Sequence, residues 1–341
     1  MSKLSGWPEA VIILEQFEFD GGRFPAVIEN GQTLTSLAAT IDWLQTNQVE
    51  LEQTLGDAGA LLFRGFPIDS AEAFDAFSAA FGYPDFTYQE SLSNAVRVNL
   101  TKRVFTANEA PPEVEIFLHH EMAQTPLSPT KLFFYCHAAA EQGGATALCR
   151  SDRLYALMLE NMPEWASKFE NQGVRYTTLM PSADNAQSGQ GRSWKSTLSA
   201  ADRSAAEARL LSLGYTWLWL QDDSLRVTTP LLPAVVALSD GRKAFYNQLI
   251  AAYLGWVGVK ENPASALLLG DGSAIPVAVF EDLVAMAKSL TFDLNWRDGD
   301  VALIDNRITM HGRRPYSGAR RRQVWVALAA ATALTADETI G

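Results

Sequence analysis

The chain is short of cysteine, of basic residues relative to acidic ones and of long apolar runs, and each shortage excludes something. Only Cys136 and Cys149 occur among 341 residues. They flank a strand-like run and the loop after it, and with no secretory signal they read as small buried hydrophobes, not a disulfide. With 27 Lys and Arg against 39 Asp and Glu the formal net charge is −12. That sign disfavours nucleic acid as a partner, because nucleic-acid binders carry a basic footprint. No apolar run approaches the roughly 18 to 20 residues that cross a bilayer, and Met1-Ser2-Lys3-Leu4-Ser5-Gly6-Trp7 lacks the apolar stretch of a signal peptide. A cytoplasmic protein with no membrane partner is therefore expected.

What is present suffices for a sizeable core, with 48% hydrophobic residues and no internal repeat. Leu37, Ile41, Leu44, Leu51 and Leu55 recur at helical spacing, and Phe74, Phe77 and Phe81 repeat the pattern after a cap expected at Ser70. Gly59 to Phe66 reads as a buried strand bounded by glycines, and Lys131 to Cys136 as a central one. Ser151 to Met162 looks helical with Pro163 beyond it, and residues 200–213 look like one further helix stopped by Gly214. Strand-like segments follow at Tyr215 to Gln221, Leu225 to Thr229, Lys243 to Asn247, Val301 to Asp305 and Gln323 to Ala329. The polar stretch from Ser182 to Arg192 reads as a lid or a disordered loop. The distribution predicts an α+β, mainly β fold: a jelly roll with flanking and inserted helices, one domain over 1–341 with helical insertions at about 150–215 and 250–290.

The chemistry concentrates in Leu118-His119-His120-Glu121-Met122. Along a strand, side chains alternate faces, so His119 and Glu121 point one way and His120 the other. A distant His311, in Met310-His311-Gly312, would complete two histidines and one carboxylate on one face of a metal, the set suited to a non-haem Fe(II) oxygenase. Spacing alone is weak, since an acidic residue two places after some histidine arises by chance in about four such chains of ten. Context adds weight. The apolar run Val301-Ala302-Leu303-Ile304-Asp305-Asn306 would deliver His311 to a barrel mouth. Eleven residues beyond His311, Arg322 opens another apolar strand, where a guanidinium can pair bidentately with a carboxylate. Arg321 is the runner-up for that position, and Thr146 offers a hydroxyl to the same anion. Trp194, Asn247 and Gln248 are candidate substrate contacts, although core packing explains them equally well.

These segments, together with Gly143-Gly144-Ala145-Thr146, Gly191-Arg192-Ser193-Trp194, Phe245-Tyr246-Asn247-Gln248 and His311-Gly312-Arg313-Arg314-Pro315-Tyr316, resemble the Fe(II)/2-oxoglutarate-dependent dioxygenases of the taurine dioxygenase superfamily. The likeness is strongest to the syringomycin-hydroxylase-like branch, which uses Glu as the carboxylate ligand. The resemblance implies a double-stranded β-helix, Fe(II) on His119, Glu121 and His311, and the distal carboxylate of 2-oxoglutarate on Arg322 and Thr146, with O2 as second cosubstrate. It further implies hydroxylation of an unactivated C–H in a natural-product pathway, on an amino acid either free or tethered to a carrier protein. Desaturation or cyclisation uses the same ligands. The rival from another class is a cupin-like jelly roll that binds a metal or small molecule without redox chemistry.

Overall fold

A computed structural model describes residues 9–10, 16–20, 22–87, 92, 97–107, 110–184 and 191–333. Its largest element is an eight-stranded sheet built on the path Ala26–Glu29, Ala60–Arg64, Val301–Asp305, Leu127–Ala138 and Gln323–Ala333. Neighbours on that path are antiparallel except Ala26–Glu29 against Ala60–Arg64, which are parallel. A four-stranded antiparallel sheet runs Thr291–Leu294, Thr146–Arg150, Thr309–Arg313, Ile116–His119.

Period-2 alternation decides what each face of the large sheet buries. Leu132, Phe134, Ala302, Ile304 and Val326 point towards Leu148, Phe292 and Leu294 of the smaller sheet and share one core with them. Phe63, Phe133, Tyr135 and Leu303 point the opposite way, into the helices. Those helices are Leu37–Thr46, Gln48–Ala58 and Ala71–Ala79, and Ser36 and Ser70 cap the first and third by accepting from Ala39 and Ala73 N–H. Phe63 meets Phe77 edge to face, with centroids 5.3 Å apart. Each such fully buried aromatic contributes about 1.5–3 kcal/mol from area alone, so this layer fixes the outer face firmly.

A third sheet, Thr216–Trp219, Leu225–Thr228, Val174–Met180 and Leu267–Leu269, roofs one end. Here one expectation is corrected and two are refined. The helix expected over 200–213 is Arg203–Ser212, started by Asp202 accepting from Ala205 N–H, and a short separate helix, Trp194–Leu198, precedes it and ends where Ser199 turns left-handed at φ 51°. Pro163 stands beyond Ser151–Asn161 and also opens the next helix, Pro163–Gln172, where its missing N–H costs nothing. The strand over Lys243 to Asn247 shrinks to Lys243–Ala244, since Asn247 is drawn into the start of the Leu249–Gly255 helix. Most of the polar stretch 182–192 lies outside the described residues. Among the described residues no helix is long and apolar enough to cross a membrane.

Candidate active site

Three side chains converge where the small sheet meets the turn after Ile116–His119. His119 ends that strand and pairs directly with His311 on Thr309–Arg313, so the antiparallel register brings the two imidazoles to a 4.3 Å centroid separation. Glu121 was expected to continue the strand, but the strand stops at His119 and Glu121 lies in a turn. Asn306 is the reason. Its Oδ1 accepts from Glu121 N–H at 2.8 Å, and its Nδ2 donates to the Glu121 carbonyl at 3.0 Å and the Pro129 carbonyl at 2.7 Å. A side chain thus takes the backbone groups that a sheet ladder would pair. The carboxylate still reaches both rings, with Oε2 3.6 Å from His311 Nε2 and 4.0 Å from His119 Nε2. His120 faces elsewhere, buried, with Nδ1 bonded to the Asn306 carbonyl and its ring 4.6 Å from that of Tyr246.

This donor set fits one metal ion. The three ligating atoms all lie within 4.8 Å of one another, and two nitrogens with one carboxylate oxygen suit Fe(II) while leaving positions open. His119 Nδ1 sits 2.8 Å from the Phe117 carbonyl, which favours the tautomer that leaves Nε2 free to ligate. Burial, reinforced by His311, pushes the His119 imidazole down to about 4, so it is neutral at pH 7. Burial alone would raise the Glu121 carboxyl, but Arg97 and the two histidines outweigh it and hold the group well below the usual carboxylate range. His311 Nδ1 is buried without a hydrogen-bond partner among the described residues.

A cavity of about 360 Å³ joins this cluster to a second cationic group. Arg322 Nε donates to the Gly144 carbonyl at 2.8 Å, and its Nη2 lies 3.4 Å from Thr146 Oγ1, which also accepts from Trp296 Nε1 at 2.9 Å. Burial, then the nearby Arg313, lowers Arg322 to about 10, so it stays charged at pH 7. Among the described residues it pairs with no carboxylate. A planar cation in a half-buried wall with no anion of its own fits a ligand carboxylate. Gly144, at φ +72°, makes room: a Cβ there would lie 2.9 Å from Arg322 Cδ. Arg321, the runner-up, is exposed.

Of the expected substrate contacts, Gln248 lines the cavity and donates to the His120 carbonyl at 3.1 Å. Asn247 and Trp194 do not line it. Asn247 donates to the Ala234 carbonyl at 3.3 Å and accepts from Leu249 N–H at 3.0 Å. Trp194 is a core residue, its Nε1 on the Asp223 carbonyl at 3.0 Å and its ring edge-on to Trp219. Sequence reasoning missed Arg97, whose Nη2 lies 2.9 Å from Glu121 Oε1 with both side chains only 7% exposed. No local pattern marks it. Asn306 was visible as a polar end to an apolar strand, but its clamp on Glu121 spans 185 residues.

Comparison with known proteins agrees with this picture. The family described as "Taurine catabolism dioxygenase TauD, TfdA family" matches residues 31–328. A clavaminate synthase-like protein of Arabidopsis thaliana is 35% identical over 315 residues, covering 91% of this chain and 95% of its own length. The dapdiamide synthesis protein DdaC of Enterobacter agglomerans is 29% identical over 289 residues, covering 80% and 83%. The crystal structure of a taurine dioxygenase from Burkholderia xenovorans shares the fold at a TM-score of 0.50 and 16% identity, over 85% of this chain and 86% of that one.

Proposed function

Because the chain belongs to the TauD/TfdA family, whose dioxygenases use Fe(II), 2-oxoglutarate and O2, we propose that it hydroxylates an unactivated C–H of an amino acid or amino-acid-derived small molecule. The observation that carries this reading is the pairing, in one cavity, of the His119, Glu121, His311 cluster with Arg322, a cation that pairs with no carboxylate among the described residues. A protein that merely held a metal would have no use for the second half. In this reading His119, Glu121 and His311 hold the iron, and Arg322 with Thr146 holds the distal carboxylate of 2-oxoglutarate. When bound, the iron and keto acid supply the oxidation, consuming O2 and converting 2-oxoglutarate to succinate and CO2.

The chain's own residues bind, orient and exclude water. His119 and Glu121 are neutral and charged respectively at pH 7, the states that ligate without first losing a proton. Asn306 fixes the turn that aims Glu121. Val324, Val326 and Phe134 make an apolar wall, Thr178 and Met180 reach in from the third sheet, and Tyr215 from just before its Thr216–Trp219 strand. Such a wall keeps the reacting carbon dry and places it near the cluster.

The relationship to the dapdiamide synthesis protein supports a role in natural-product formation and the syringomycin-hydroxylase-like branch. The two sheets around a shared apolar core support a double-stranded β-helix. We read 1–341 as one such domain, elaborated by helices at about 150–215 and 250–290. Anaerobic addition of Fe(II) and then 2-oxoglutarate should raise a weak visible charge-transfer band. Its absence, with no succinate formed in air, would leave only a metal-binding protein.

A further inference from the structure

Resting on that reading and narrowing it, we infer that Arg97 is a specificity-determining anchor for a free carboxylate on the primary substrate. Arg97 is buried on the wall of the same cavity, its guanidinium 5.2 Å above the Phe105 ring. One N–H is taken by Glu121 Oε1, while Nε is buried and has no hydrogen-bond partner among the described residues. A guanidinium offers its donors as a planar fork, and a fork half used beside an open cavity calls for a planar acceptor.

The charge balance points the same way. In the loaded site the two charges of Fe(II) and of the 2-oxoglutarate dianion cancel, and the single charge of Glu121 offsets only one of Arg97 and Arg322. One positive charge is therefore left over, and the ion pair with Glu121 uses only part of the Arg97 fork. Arg313 adds further positive charge to the wall, although its N–H groups are engaged by the carbonyls of Ala110, Pro111 and Val114. Glu115, the other acidic residue on the wall, is already paired with Arg314 at 2.6 Å. The neutral Gln124 has a complementary need: it lines the same wall, and its buried Oε1 lacks a donor among the described residues. An acid that also carries an N–H meets both demands. A carrier thioester keeps its N–H but has given up its carboxylate, and so leaves Arg97 without an acceptor.

The test needs no turnover and no known substrate. The protein is loaded anaerobically with Mn(II) and saturating 2-oxoglutarate, which fills Arg322, and trifluoroacetate binding is followed by the paramagnetic relaxation of its fluorine signal. Saturable binding is expected for wild type, and at least tenfold weaker binding for the neutral isostere trifluoroacetamide. Arg97→Gln should lose tenfold to about a hundredfold, and Arg97→Lys an intermediate amount, each measured at Mn(II) and 2-oxoglutarate concentrations that saturate that variant. If Arg97→Gln does not fold, the acid-against-amide comparison and Arg97→Lys still decide. Equal binding of acid and amide, no saturable binding of the acid, or trifluoroacetate affinity indifferent to Arg97 overturns the anchor and leaves the 2-oxoglutarate reading standing. Failure of wild type to bind 2-oxoglutarate overturns both.

Discussion

Replacing Arg322 by alanine should cost cosubstrate affinity and little else. Two of its donors are engaged, Nε by the Gly144 carbonyl and Nη2 weakly by Thr146, so the remaining N–H groups are available to a ligand carboxylate. Two charge-assisted hydrogen bonds at about 1.5–2 kcal/mol each, the lower part of their range because water refills the truncated site, come to roughly 3–4 kcal/mol. At about 1.4 kcal/mol per decade this weakens 2-oxoglutarate binding by roughly two to three decades. Arg322→Lys keeps the charge but not the fork, and should lie about one decade below wild type. Fe(II) affinity should stay near wild type, because Arg322 bonds to none of His119, Glu121 and His311. Arg321→Ala is the matched control, its side chain being exposed. The assay is anaerobic titration of the Fe(II) protein with 2-oxoglutarate, read from the visible charge-transfer band. If Arg321→Ala loses affinity and Arg322→Ala does not, the strand register is shifted by one residue. If neither matters, the keto-acid assignment fails.

Three further outcomes follow from the same geometry. Gly144→Ala should weaken 2-oxoglutarate without touching Fe(II), since the new Cβ would meet Arg322 Cδ at 2.9 Å from a strained φ of +72°; equal affinity in the same titration would show that the guanidinium is not held by this close approach. Glu121→Ala should abolish succinate formation and, by orphaning a buried Arg97, destabilise the metal-free protein by about 3–5 kcal/mol in urea unfolding. Adding Arg97→Gln should return part of that stability, and strict additivity would deny the coupling. The metal-free protein should also lose stability on acidification. Burial holds His119 and His120 neutral down to about 4 and about 3, while the unfolded chain takes up protons below about 6.5. The unfolded state therefore binds more protons in this window, so stability is full above about pH 6.5 and falls by up to about 1.4 kcal/mol per pH unit for each histidine below it. His120→Asn should halve that slope and keep most of the Fe(II) affinity, whereas His119→Ala should lose the metal. The opposite ranking would move the ligand by one residue.

Local signals carried far in this chain where a single element decides the outcome. Ser36 and Ser70 cap helices because a hydroxyl needs only the N–H three residues on. Leu132 and Phe133 take opposite faces because pleating is a property of the strand itself. His119, Glu121 and His311 were legible as a trio, and the family likeness lies in the same residues. What the sequence could not decide is which groups meet across elements. His120 and Glu121 leave the strand pattern because Asn306, 185 residues away, holds the turn. Trp194 goes to the core and Gln248 to the cavity, though both are polar-tipped residues at element ends. Arg97 looks like any surface arginine until folding places it 2.9 Å from Glu121. Periodicity and caps report the conformation of a few consecutive residues, whereas a cavity wall is assembled from strands and turns far apart in the chain. The candidate ligands are therefore written in short motifs, but the charge that surrounds them appears only when the sheets close.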